Sequence, residues 1–300
     1  MIMKILLLGK NGQVGWELQR SLAPLGEVVA LDRHSTDYCG DLSKPKQLAQ
    51  TVLAYKPDFI VNAAAHTAVD KAESEPDLAC CLNTDAPAAL AKAAAQVGAW
   101  LVHYSTDYVF DGSGTHARQE GEGTGPLSVY GQTKLDGEKA IVASGCKHLI
   151  FRTSWVYAAR GGNFARTMLR LAQEREKLTV INDQHGAPTG ADLIADVTAH
   201  AMRCVQNTQN ISLGGVYHLV ASGETTWHGY ASHVITQAKT IKPELDWKVT
   251  EVAPVPTSAF PTPAARPLNS RLCTNKLQQA FGFVMPPWQQ GVDRMLAEIL

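Results

Sequence analysis

The chain has 300 residues, 45% of them apolar and 18% charged, and its 27 Lys+Arg against 28 Asp+Glu leave a formal net charge of −1. That balance excludes a disordered chain and argues against nucleic acid as the main partner, which needs a basic face. At this length two domains, or one large one, are expected. No apolar run approaches the roughly 20 residues that cross a bilayer, so no membrane partner is expected. The start, MIMKILLLGKNG, carries no signal-peptide cleavage pattern. Cys39, Cys80, Cys81, Cys146, Cys204 and Cys273 form no C-x-x-C pair. Together these features predict a cytoplasmic protein with reduced thiols.

In chain order, Lys4–Leu8 reads as a short apolar strand and Gln13–Leu22 as a helix, with Val14, Leu18 and Leu22 at helical spacing. Glu27–Leu31 and Phe59–Asn62 read as the second and third strands. An Ala-rich helix, Ala86–Gln96, leads into strand Trp100–Ser105, and a helix near Tyr130–Val142 leads into strand Leu149–Thr153. Continuous apolar strands alternating with helices predict a parallel sheet covered on both faces, a Rossmann-type doubly wound α/β fold. The division expected is a dinucleotide-binding domain over 1–153 and a smaller, mainly substrate-binding lobe over 154–300, with interleaved segments. Prolines crowd APVPTSAFPTPAARPLNS, between Pro254 and Pro267. That stretch excludes a helix or central strand and reads either as a linker or as an ordered pocket loop. Helical periodicity resumes over Trp288–Leu300.

Gly9-Lys10-Asn11-Gly12-Gln13-Val14-Gly15 is G-x-x-G-x-x-G between the first strand and the first helix. Glycines so placed let the backbone turn and approach a pyrophosphate at the helix N-terminus. Asp32 ends the second strand 17 residues after Gly15, where such folds hold the adenosine ribose. Arg33 and His34 follow and suit a 2′-phosphate, so use of both NADH and NADPH is expected. The bland alternatives are a tight turn and a strand-end cap.

Tyr130-Gly131-Gln132-Thr133-Lys134 is the one Y-x-x-x-K in the chain. On a helix this spacing puts both side chains on one face. A phenol of pKa about 10 is a poor acid–base group at neutral pH, and an adjacent ammonium is expected to lower that value. Tyr104-Ser105-Thr106-Asp107-Tyr108-Val109-Phe110 ends the fourth strand, at the edge where this fold binds ligands, and a hydroxyl there can polarise a substrate carbonyl. Arg152, Arg266 and Arg271 are candidates for a diphosphate, through the planar donor fork of arginine. No His/Cys/Asp cluster has metal-ligand spacing, so a catalytic metal is not expected.

GKNGQVG, STDYVF and the Tyr130/Lys134 pair resemble the extended short-chain dehydrogenase/reductase family. VNAAAHTAVDKAE, FRTSWVYA, VINDQHGAPTGADL, TTWHGYA and PTSAFPTPAARPLNSRL extend the resemblance, across nearly the whole chain, to the dTDP-4-dehydrorhamnose reductases within it. The resemblance implies NAD(P)H-dependent reduction of a dTDP-sugar at its C4 ketone. It makes Tyr130 the proton donor, with Lys134 lowering the Tyr130 pKa and holding the nicotinamide ribose. Thr106 is implied to bond the reacting oxygen, Asp107 and Trp155 to contact the substrate, and Arg266 to bind it. The cofactor would lie on Gly9, Gly12, Gln13, Val14 and Gly15, with Asp32 on the ribose, Asp41 and Leu42 near the adenine, and Ala65, His66 and Thr67 along its path. Some members are homodimers with a structural Mg²⁺ at the subunit interface. The matching positions are Glu17, Asp192 and Glu298, where the family's middle residue is typically Glu and the shorter Asp192 strains an octahedral site. Related dehydratases follow the Thr-Asp pair with a Glu, here Tyr108, which favours simple reduction. Epimerases share the Tyr/Lys pair, and a non-catalytic binding subunit is the alternative of a different class.

Overall fold

Five apolar runs form parallel strands: β1 (Met3–Leu8), β2 (Gly26–Leu31), β3 (Phe59–Asn62), β4 (Trp100–Thr106) and β5 (Lys147–Thr153). A sixth, Gly215–His218, joins the edge at β5, so the sheet order is Gly215–His218, β5, β4, β3, β1, β2, all neighbours parallel. The computed structural model describes residues 2–208 and 211–300. The helices are α1 (Gln13–Leu22), α2 (Pro45–Tyr55), α3 (Val69–Ser74), α4 (Pro76–Cys80), α5 (Ala86–Val97), α6 (Val129–Ala143), α7 (Phe164–Glu174), α8 (Ala191–Thr208), α9 (Trp227–Ile241), α10 (Asn275–Phe281) and α11 (Trp288–Ile299).

Successive side chains of a strand face opposite ways, and here both faces are buried. Ile5, Leu7, Phe59, Val61, Val102 and Phe151 pack against Leu18 and Leu22 of α1 and Ile194 and Met202 of α8. Leu6, Leu8, Ile60, Leu101 and Ile150 pack against Val52 of α2, Leu90 of α5 and Ile141 of α6. This is the doubly wound α/β architecture expected from the continuous apolar runs. α6 starts where Ser128 caps it, its Oγ accepting from the Gly131 amide at 3.2 Å.

The later half serves two cores. α8 and strand Gly215–His218 return to the sheet, while Tyr157, Leu169 of α7, Tyr230 of α9 and Trp288 of α11 form a separate cluster. The Pro-rich region is more regular than its composition suggests. Glu251–Val255 pairs in parallel with Lys177–Ile181, Pro254 facing Val180. The pairing is only two-stranded, and a proline fits at such an edge because its missing donor leaves no ladder bond broken. Asp183 then fastens the next turn, accepting from the Thr257 amide at 2.9 Å. No helix of the described residues is long and apolar enough to cross a membrane.

Leu7 of β1 is fully buried. Leu7→Ala is expected to lower unfolding stability by about 2–5 kcal/mol through lost transfer energy and a residual cavity. In urea titration the midpoint should fall with the slope unchanged.

Candidate active site

The first turn is built for backbone approach to an anion. Gly9 has φ +88°, a conformation that disfavours a side chain. A Cβ on Gly15 would sit 2.0 Å from the Gly9 carbonyl oxygen, so only glycine lets α1 begin against the turn. Gly12 precedes α1 without a side-chain cap, leaving the helix's first amides free to bind. Beside this turn lies a cleft of about 670 Å³ that Gly9, Gly12, Asp32, Asp41, Leu42 and Ala65 line together with Arg33 and His34. Gln13, Val14 and Gly15 form the first turn of α1 at its edge. Asp32 accepts from Asn11 Nδ2 at 2.6 Å, and the His34 amide holds its carboxylate below the ordinary range. Open amides, a cradle that a Cβ would fill and a carboxylate across the cleft fit a dinucleotide.

The polar groups at the end of β4 meet α6. Thr106 ends the strand; its hydroxyl donates to Asp107 Oδ1 at 3.1 Å and faces the Tyr130 phenol, whose pKa it lowers. Tyr108 stacks edge-on against Tyr130 with ring centroids 5.5 Å apart. Burial raises the Tyr130 pKa above its ordinary value, and the Thr106 hydroxyl offsets only part of the rise. The lowering by Lys134 expected from the spacing does not appear. The Lys134 amine turns to the Tyr104 carbonyl at 2.6 Å and His103 Nε2 at 3.1 Å, and burial pushes its own pKa down to about 8. Two residues on one helix face need not touch when a strand end offers a nearer acceptor.

Asp107 is 2% exposed, and burial pushes its carboxyl up to about 6 against the pull of the Ser270 and Thr106 hydroxyls. Trp155 adopts φ +48° and stacks on Trp227 with centroids 3.8 Å apart. Arg266 pairs with Asp70 of α3 at 2.8 Å and its charge lies near enough to the Tyr108 phenol to lower its pKa, so the Pro-rich stretch is tied to the site rather than free. Arg271 pairs with Glu224. Arg152 does not serve as a diphosphate ligand. It is 5% exposed, and its guanidinium is held by Glu138 at 2.7 and 3.0 Å, a buried pair that leaves no fork for a phosphate.

His66 and Thr67 lie beyond Ala65, and the His66 backbone is clipped by Asn83, which accepts from its amide at 2.8 Å and donates to its carbonyl at 3.1 Å. Asn83 also donates to Thr133 of α6 at 3.2 Å. No spacing in the sequence marks Asn83. His103 could have been found as the one imidazole inside the apolar run WLVHYST.

Glu17, Asp192 and Glu298 line one cavity of about 260 Å³, remote in sequence and side by side in the fold. Arg20 reaches Glu17 at 3.4 Å and Arg294 reaches Asp192 at 3.6 Å. Among the described residues no three His, Cys, Asp or Glu side chains converge as a metal site. The residues of one chain therefore do not fit Mg²⁺, and no step is derived through it.

A parallel sheet with a glycine turn at one strand end and a Thr–Tyr–Lys set at another defines a nicotinamide-dependent oxidoreductase of the short-chain type. Residues 3–300 match the family described as RmlD substrate binding domain. A dTDP-4-dehydrorhamnose reductase of Salmonella typhimurium is 61% identical over 297 residues, 99% of this chain and 98% of that protein. The crystal structure of a dTDP-4-dehydrorhamnose reductase from Clostridium acetobutylicum superposes with a TM-score of 0.88 at 34% identity, covering 99% of each chain. One from Bacillus anthracis, solved in complex with NADP, gives 0.87 at 34% identity, covering 99% of this chain and all of that one (100%). The chain belongs to the dTDP-4-dehydrorhamnose reductase family.

Asp107 changes charge near neutrality because its pKa is raised to about 6. It is neutral below that pH and a hydrogen-bond acceptor above it. If it accepts from the sugar, KM for the sugar nucleotide should fall as pH rises from 5 to 7, by about tenfold for the loss of one charge-assisted bond. Asp107→Asn should flatten that dependence; an unchanged profile in the variant would assign the titration elsewhere.

Proposed function

We propose that this protein reduces the C4 ketone of dTDP-4-dehydro-L-rhamnose to dTDP-L-rhamnose, using NADPH or NADH. The observation that carries the reading is the Tyr130 phenol set against the Thr106 hydroxyl at the end of β4. The glycine turn after β1 lies at the same C-terminal edge of the parallel sheet, as the β1–β3–β4 pairing requires. The relatives, named as dTDP-4-dehydrorhamnose reductases, agree with that chemistry.

In this reading Gly9, Gly12, Gln13, Val14 and Gly15 hold the cofactor pyrophosphate, Asp32 the ribose, Asp41 and Leu42 the adenine end, and Ala65, His66 and Thr67 the path between. Bound there, the reduced nicotinamide supplies the hydride. Thr106 and Tyr130 receive the substrate oxygen between two hydroxyls and stabilise the charge that develops on it. Tyr130 then delivers its proton. Its raised pKa suits this direction: burial keeps the phenol protonated at neutral pH, and the alkoxide formed at C4 is a far stronger base. Lys134 takes the nicotinamide ribose. Trp155, Asp107 and Arg266 face the sugar nucleotide. The third group of a dehydratase is missing, since Tyr108 follows Thr106 and Asp107 and its pKa is raised by burial to about 12.

The reading extends to two lobes, 1–153 for the dinucleotide and 154–300 mainly for the substrate, and to a cytoplasmic homodimer. A structural Mg²⁺ at Glu17, Asp192 and Glu298 would require further ligands from a second copy, because Arg20 and Arg294 already partner two of the three carboxylates.

Tyr130→Phe removes the proton and keeps the ring. kcat should fall by at least about 10²-fold, with dinucleotide affinity retained. Near-normal turnover would remove Tyr130 from the acid's role.

A further inference from the structure

Lys134 is buried to 2% exposure, and no carboxylate pairs with it. Glu138, one turn along α6, is engaged by Arg152 of β5. Tyr104 of β4 offers Lys134 its carbonyl only, since its phenol bonds Thr198 and burial holds that phenol neutral. Tyr130, on the same helix, faces Thr106. The remaining neighbour is His103 of β4, itself 1% exposed.

Four hydrogen bonds run through this buried group, and their direction is set at one end. The Ala64 amide, which can only donate, meets Asn62 Oδ1 at 3.2 Å. That contact fixes the carboxamide, so its NH₂ faces His103 Nδ1 at 3.2 Å. Nδ1 must then be the bare, accepting nitrogen, and the ring proton lies on Nε2. Nε2 is 3.1 Å from the Lys134 amine. Two donors cannot face each other there, so the uncharged amine, the form present above its pKa of about 8, accepts from Nε2–H and donates onward to the Tyr104 carbonyl at 2.6 Å.

We propose, on the reductase reading above, that His103 is a positioning residue for the reaction: locked in its Nε2–H tautomer by Asn62, it donates to Lys134 and sets where that amine points and at what pH it takes up a proton. A bond donated to the uncharged amine disfavours the ammonium form, in the same direction as burial. Protonation of Lys134 requires the imidazole proton to move from Nε2 to Nδ1, against the Asn62 N–H. The ring and the amine are therefore linked, and a change at one reaches the phenol's helix through the other.

The direct test is nitrogen NMR of the full-length, histidine-labelled protein at about pH 10, where an amine of pKa about 8 is uncharged, with His103 assigned by its loss in His103→Gln. A proton on Nε2 and a bare Nδ1 are expected; a proton on Nδ1 overturns the proposal. This measurement needs no turnover, so its failure is separate from failure of the reductase reading. Kinetics supplies the second readout. Gln at 103 can accept from Asn62 and donate to Lys134, whereas Leu can do neither. His103→Leu should lower kcat on the order of tenfold to a hundredfold, move the basic limb of the kcat profile to higher pH and leave KM for the dinucleotide nearly unchanged. His103→Gln should restore both kcat and the limb. Equal losses in the two variants with an unmoved limb would show a merely structural ring and contradict the proposal.

Discussion

A buried cation without an anion is costly, and Lys134 is the residue that the rest of this site accommodates. Its neighbours are a carbonyl and the His103 imidazole, not a carboxylate. The arrangement is possible because α6 lies against β4, with Asn62 and His103 on adjacent parallel strands in direct register. The same register sets Thr106 at the end of β4, facing Tyr130, and leaves the glycine turn at the end of β1. Asn62, His103, Tyr104 and Lys134, from three separate stretches of chain, meet because parallel strands end at one edge.

The second half of the chain both supports that edge and closes over it. α8 covers the sheet face under β1 and β4, and Gly215–His218 extends the sheet. The Pro-rich stretch returns to the first half through Arg266, on Asp70 and near Tyr108. Arg152 and Glu138 form a buried pair between β5 and α6. Removing either partner alone would leave an uncompensated charge, so the pair fixes the helix that carries Tyr130 and Lys134.

Much of the architecture was legible in the residues. Strands such as Phe59–Asn62 are continuous apolar runs because both faces of a parallel sheet are buried, and α1 follows Val14, Leu18 and Leu22. The glycine turn was legible because its chemistry is local. What escaped depended on partners far along the chain. Arg152 resembles a phosphate ligand until Glu138 is placed beside it, and the Tyr130–Lys134 spacing gives no sign that Tyr104 and His103 capture the amine. Pro254 in a strand became intelligible only once that strand proved to be an edge. The carboxylates Glu17, Asp192 and Glu298 do share a cavity, but Arg20, one helical turn from Glu17, and Arg294, whose pairing with Asp192 no spacing reveals, stand among them.

The account is tested most directly by supplying dTDP-4-dehydro-L-rhamnose to the protein with NADPH, and separately with NADH, and following the absorbance of the reduced cofactor. It predicts net oxidation of one cofactor per sugar, dTDP-L-rhamnose as product, and activity with both cofactors. No oxidation in the presence of intact substrate, or a protein that cycles a bound cofactor without net consumption, would contradict it.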